Sequence, residues 1–223
     1  MRSDWLNCLV STLNKVSDTE AIVIVDYGMG NIRSISKVLQ GSGVATTVSS
    51  DPASIVSARK LILPGVGHFG QAMRNLRQRG LIEALHEAVT QREIPILGIC
   101  LGMQLMARYS AEGNEEGLGW FDGSVVRLKV PDSARYKVPH IGWNEVESVK
   151  SSVLTAGIDS AAEFYFLHSF CYETQSPEEI LMTTAYGCTF ASAIEKGAMY
   201  GVQFHPEKSH NVGALLLKNF AGA

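Results

Sequence analysis

The chain has 223 residues, 46% of them apolar, and a formal net charge of −3 at neutral pH. That is enough for one sizeable core and short for two, so a single globular domain is the starting expectation. Charges of both signs are interspersed with no Lys/Arg run to track a phosphate backbone, and no stretch reaches the roughly 18–20 apolar residues of a membrane span, which argues against nucleic-acid and membrane partners alike.

The first 20 residues, "MRSDWLNCLVSTLNKVSDTE", carry too short an apolar run for a secretory signal and no small-residue cleavage site. Residues 1–20 are therefore read as a leader of unassigned role, residues 21–223 as the folded domain, and the protein as soluble and cytoplasmic. Next, "AIVIVDYGMGNI" reads as a buried strand of β-branched residues ending in Asp26 and two glycines, with a helix through "IRSISKVLQGSG". "VATTVSS" is a short strand and "ARKLILPGVG" another that ends in a Pro/Gly loop. "GQAMRNLRQRGLIEALHEAVTQR" is helical, and "IPILGI" is a further buried strand before a helix opening at Leu101. Apolar runs alternating with helices predict a mostly parallel sheet covered on both faces. Beyond Gly113, "GLGWFDGSVVRL", "HIGWNEVESV", "EFYFLHSFCYE", "ILMTTAYG", "TFASAIEKG" and "MYGVQFHPE" read as short strands, and "NVGALLLKNFAGA" closes the chain as a helix. The expected fold class is thus α/β, a mostly parallel sheet flanked by helices, with an antiparallel extension in the second half.

Cys8, Cys100, Cys171 and Cys188 are spread without CxxC spacing, which points to reduced thiols and to neither a disulfide framework nor a zinc site. Cys100 stands apart. In "ILGICLGMQLMA" it lies between Gly98 and Gly102 where a strand meets a helix, the thiol counterpart of the G-x-S-x-G nucleophile elbow. Ligands of open parallel sheets bind beyond the carboxyl ends of the strands, where Cys100 would sit. If the turn forms, a helix N-terminus favours the thiolate, and the Leu101 N–H points to where an oxyanion develops. A buried small hydrophobe in a Gly-rich turn is the competing explanation.

A thiol near its usual pKa of about 8.5 gains from a positioned base. His86 lies in a helical run, and His68 and His140 adjoin turns without a carboxylate at useful spacing. His205 ends an apolar strand in "YGVQFHPEKS". In extended backbone Glu207 faces the same way, and Pro206 biases His205 towards that geometry. Cys100, His205 and Glu207 are therefore a candidate triad, while an ordinary strand end with a surface ion pair stays open. In "LILPGVGHFG", Gly65 and Gly67 form either a simple turn or a nest of backbone N–H groups supplying a second oxyanion donor.

Together "GICLGMQ", "PGVG" and "YGVQFHPEKS" resemble the class I glutamine amidotransferases, whose flavodoxin-like fold carries a Cys-His-Glu triad in this order. "DYGMGNIRSI", "LPGVGHFGQAM", "VPHIGWN" and "YFLHSF" bring the likeness nearest to the glutaminases that serve a cyclase in histidine biosynthesis, over about Ile22 to Phe220. The resemblance implies that Cys100 attacks glutamine, His205 protonates the departing ammonia and Glu207 orients His205. It further implies substrate or oxyanion contacts from Gly65, Val66, Gly67, Leu101, Gln104, His168 and Ser169, with no metal or organic cofactor. The partner implied is a (βα)8-barrel cyclase subunit in a heterodimer. It would use the ammonia to make imidazole glycerol phosphate and an aminoimidazole carboxamide ribotide, and it would meet Asn31, Trp143, Tyr165 and Lys208. One departure is Phe170, which lacks the hydroxyl of the aromatic usual after His-Ser.

Other readings share the chemistry. "EGNEEGLGW" and "HPEKSHNVG" are also similar to glutaminases that serve sugar amidotransferases in surface polysaccharide synthesis. A cysteine peptidase or γ-glutamyl hydrolase would use a comparable elbow without any partner, and a non-catalytic subunit would be expected to lose a triad member.

Overall fold

The computed structural model describes residues 21–223, so the leader assigned to residues 1–20 lies outside the described residues. The apolar runs of the first half become β1 (Ile22–Val25), β2 (Thr46–Ser49), β3 (Leu61–Leu63) and β4 (Ile96–Ile99). They pair in parallel in the order β2-β1-β3-β4. Between them run α1 (Ile32–Gly41), α2 (Pro52–Val56), α3 (Phe69–Gln78) and α4 (Leu81–His86). Alternate strand residues point to opposite faces, and each face meets its own helices. Val23, Val25, Leu61 and Leu63 pack with α3 and α4, whereas Ile22, Ile24 and Ile62 pack with Ile35 and Leu39 of α1. Burial on both faces is why these strands read as unbroken apolar runs.

Local differences from expectation have local causes. α2 has a start signal in "SDPASIV": Asp51 accepts the Ser54 N–H at 2.9 Å and Pro52 opens the helix. The long helix expected after Gly70 is split where Gly80 turns left-handed at φ 64°, and its second part ends in a π turn over Glu87–Gln91. The helix after Cys100, α5 (Leu101–Leu105), is only five residues long because Ala107–Ser110 leaves it as β5, which pairs with β6 (Glu115–Glu116) and β7 (Phe121–Arg127).

The second half extends the same sheet. β8 (His140–Glu145) is followed by the short β9 (Glu147–Ser148). "EFYFLHSFCYE" is two strands, β10 (Glu163–His168) and β11 (Phe170–Thr174), parted at Ser169, whose carbonyl accepts the Leu128 N–H at 2.9 Å. β8 and β10 pair as a small antiparallel sheet, while β11 joins the main one. β12 (Ile180–Ala185), β13 (Thr189–Lys196) and β14 (Met199–Val202) follow, and α6 (His210–Gly222) ends the chain. The second half is not wholly antiparallel: β14 runs parallel to β4 at the centre, β13, β11 and β7 continue antiparallel from it, and β7 pairs in parallel with β5. Leu216, Leu217 and Phe220 of α6 complete the core on the α1 face.

Candidate active site

Cys100 follows the last residue of β4 and adopts φ 54°, ψ −110°, a left-handed backbone that side chains rarely accept. Its N–H donates to Val202 O at 2.7 Å, which ties the end of β4 to the end of β14. The flanking glycines are required by contact. A Cβ on Gly98 would lie 2.7 Å from Met103 N, and one on Gly102 would strike the Leu63 carbonyl oxygen. Leu101 opens α5, so its N–H has no carbonyl one turn earlier to bond. The dipole of a five-residue helix is weak, which leaves His205 as the main charge partner for a thiolate.

His205 follows β14 with its N–H donating to Tyr165 O at 2.8 Å, and its own carbonyl accepts the Ser209 hydroxyl at 2.6 Å. Glu207 is not in extended backbone as expected, because Pro206 begins a single 3₁₀ turn over Pro206–Lys208. It still reaches the imidazole: Nδ1–H donates to Glu207 Oε1 at 2.9 Å, with both side chains 1% exposed. This fixes the tautomer and reserves Nε2 for the thiol, with no other side chain bonded to it. Burial disfavours the charged ring, but hydrogen bonding and charge from Cys100 and Glu207 outweigh it and push the His205 pKa up to about 9.

Cys100 and His205 open onto a cavity of about 270 Å³ whose wall includes Val66, Gly67, Leu101, Gln104, His168 and Ser169. Gly67 has φ 106°, a conformation suited to a backbone nest. Gly65, expected beside them, is not part of that wall. It lies against the elbow, where a Cβ would come within 2.7 Å of Gly102 N and 2.8 Å of Tyr27 Oη. Gln104 commits its amide nitrogen to the protein, donating to Phe170 O at 3.0 Å and Gln203 Oε1 at 2.9 Å. His168 and His140 form a buried pair, Nε2 to Nδ1 at 3.0 Å, and His168 Nδ1 donates to Phe170 O at 2.9 Å.

Two polar residues of the site escape the sequence reading. Glu112 also lines the cavity, and its Oε2 accepts the Phe69 N–H at 2.9 Å, capping α3 directly after the Pro64–Gly67 loop. It follows β5, a strand without a sequence signal. Gln203 is fully buried beside Cys100. Its signal was present, since it stands two residues before His205 on the same face of extended backbone.

The four expected interface residues divide. Asn31, at the start of α1, caps nothing with its side chain and instead donates to Glu207 Oε1 at 3.2 Å, so it supports the triad. Trp143, 43% exposed, meets Tyr165 edge-on at 6.1 Å and stacks on His210 at 4.9 Å, and Lys208 Nζ lies 5.2 Å over the Tyr165 ring. Ile141, paired with Leu167 across β8 and β10, adds further exposed apolar surface there. Among the described residues, no cluster of three His, Cys, Asp or Glu side chains could hold a metal ion, and no helix is long and apolar enough to cross a membrane.

Residues 23–222 match the model of the class-I glutamine amidotransferase family. The chain is 45% identical over 199 residues to the imidazole glycerol phosphate synthase subunit HisH 2 of Methanococcus maripaludis, a match covering 89% of this chain and 98% of that one. It is 46% identical over 200 residues to the imidazole glycerol phosphate synthase subunit HisH of Moorella thermoacetica, covering 89% and 93%. In fold it is similar to a glutamine amidotransferase from Thermotoga maritima, with a TM-score of 0.60 at 18% identity over 84% of this chain and 76% of that one.

Proposed function

The chain belongs to the class I glutamine amidotransferase family, and from that premise we propose that it is the glutaminase subunit of an imidazole glycerol phosphate synthase, acting in histidine biosynthesis. What carries the chemistry is one juxtaposition: a cysteine on a strained elbow and a Glu207-oriented histidine at one cavity. The Sγ proton passes to His205 Nε2 and the sulfur attacks the side-chain carbonyl carbon of glutamine. Charge builds on the carbonyl oxygen, where the Leu101 N–H and the Val66–Gly67 loop offer donors. His205 gives its proton to the leaving nitrogen, the C–N bond breaks, and ammonia departs from a glutamyl thioester. A water, deprotonated by His205, then attacks the thioester and releases glutamate and the thiol. These steps balance with the chain's own groups and water.

Glu112 supplies the negative charge on the cavity wall that complements the α-ammonium of glutamine. The ammonia is delivered to a (βα)8-barrel cyclase subunit. Its seat is the apolar outer face of β8 and β10, where Ile141, Trp143, Tyr165 and Leu167 lie beside the site and Lys208 adds charge at the rim. The heterodimer is cytoplasmic, and glutamine is its nitrogen donor.

The test is glutamate release by the purified chain alone, then with the genome's cyclase homologue and its ribonucleotide substrate. Strong activation confined to the full mixture is expected, and Cys100→Ala should abolish it by about ten-thousand-fold or more while still binding the partner. Silence in the full mixture would redirect the search to a sugar amidotransferase partner. Vigorous turnover without any partner would mark an autonomous hydrolase.

A further inference from the structure

We propose that Gln203 is a further catalytic residue, whose side-chain N–H donates to Cys100 Sγ and stabilises the thiolate from which attack occurs. The inference deepens the glutaminase reading and rests on Cys100 being the nucleophile. Gln203 Nε2 lies 3.6 Å from Sγ, within the range for a hydrogen bond to sulfur, and the side chain is fully buried. Of the other polar contacts, the Leu167 carbonyl stands 3.8 Å from Sγ. A carbonyl only accepts, so it suits the neutral thiol, and Gln203 only donates from that end, so it suits the thiolate.

The direction of the Gln203 amide follows from its neighbours. Phe170 O can only accept, so the atom of Gln104 that meets it at 3.0 Å is the amide nitrogen. That nitrogen's second hydrogen points at Gln203, 2.9 Å away, and must meet an oxygen there. Gln203 therefore presents its oxygen to Gln104 and its nitrogen to the sulfur. A flipped amide would set two N–H groups face to face and turn a carbonyl oxygen towards the thiolate. The chain Phe170 C=O, Gln104, Gln203, Cys100 is thus polarised in one direction and held in a buried setting, where a charge-assisted donor is strongest. When the Sγ–H bond breaks and the proton moves to His205 Nε2, the negative charge left on sulfur meets a donor already in place, with no water to reorganise.

The experiment reads the titration of Cys100 directly. Iodoacetamide alkylation is followed from about pH 5 to 10 by mass spectrometry of the Cys100 peptide, with Cys171 and Cys188 as internal controls, in the native chain, Gln203→Met and Gln203→Leu. Loss of the donor should move the Cys100 midpoint upward by about one unit or more and slow alkylation near pH 7 about tenfold, with kcat reduced similarly and KM little changed. An unchanged Cys100 profile in either variant that melts cooperatively would overturn the proposal. Should both variants fail to fold, the side-chain amide NMR signal of Gln203 in the unaltered protein decides: it should shift as Cys100 titrates and be constant in Cys100→Ala, and constancy in both would overturn the proposal too. Glutamine hydrolysis that survives Cys100→Ala would instead sink the glutaminase assignment, which separates the two failures.

Discussion

Acid should destabilise this chain through two histidines that take no part in the proton transfers. His168 donates from Nδ1 to Phe170 O at 2.9 Å, so its Nε2 must accept from His140 Nδ1–H at 3.0 Å, and His140 Nε2 in turn faces the Asn144 amide nitrogen at 3.4 Å. Both rings are neutral in this arrangement, and a proton added to His168 Nε2 would set two N–H groups against each other. Burial, chiefly, lowers the His168 pKa to about 3, and burial lowers His140 to about 4, against 6.5 for a free imidazole. The unfolded chain therefore binds more protons than the folded one between those values. The stabilising effect is full above about pH 6.5 and is lost as pH falls towards the folded pKa values. From pH 6.5 to 4.5 each histidine can withdraw at most about 2–3 kcal/mol, so about 5 kcal/mol together, against a typical total of about 5–15. Urea midpoints at steps between pH 7 and 4.5 measure this. His168→Asn cannot titrate there, yet its amide can still donate to Phe170 O, so its stability should fall with acid only about half as steeply, from a lower starting value. Equal slopes in the two proteins would refute the neutral-pair argument.

Two other perturbations bear on the site and its frame. Glu112→Gln can still accept the Phe69 N–H but loses the charge facing the cavity, so KM for glutamine should rise about ten- to a hundredfold with kcat and the melting temperature little altered; steady-state kinetics with the activating partner check it. Gly102→Ala drives a Cβ into the Leu63 carbonyl and should cost about 2 kcal/mol or more, whereas Gly41→Ala, with nothing within 4 Å, should be near neutral, as thermal melts would show.

How much was legible depended on whether a residue's role was local. Strands β1, β3, β4 and β14 could be read because burial on both faces leaves no polar alternation. The elbow could be read because glycine on each side of a cysteine is a steric statement, now traceable to Met103 N and Leu63 O. β5 could not be read: Arg108 and Tyr109 are exposed, and Ala107–Ser110 is a strand because β6 and, more than ten residues later, β7 pair with it. The shortness of α5 and the place of Glu112 follow from that same long-range pairing, so both were hidden. The contact of Asn31 with Glu207 was likewise hidden, because it spans 176 residues of chain separation. Gln203 differs, since it stands only two residues before His205, directly after β14.

The topology sets nucleophile and base on strand ends and the substrate wall on connections. β14 enters the sheet about a hundred residues after β4, yet pairs with it in parallel register, Val202 opposite Ile99. Cys100 and His205 therefore issue from the same end of neighbouring central strands, tied by the Cys100 N–H to Val202 O, and no loop has to order to bring them together. The rest of the cavity comes from connections: Val66 and Gly67 after β3, Glu112 after β5, Ser169 between β10 and β11. One of those connections adjoins the outer sheet directly, since β10 runs into Ser169. A partner seated on β8 and β10 would bear on the substrate wall through Ser169 and also on the triad, since Tyr165 O accepts the His205 N–H and the Leu167 carbonyl stands 3.8 Å from Cys100 Sγ. Partner activation should accordingly appear both in turnover of glutamine and in the alkylation profile of Cys100, and a profile that stayed fixed while turnover rose would contradict this coupling through β10.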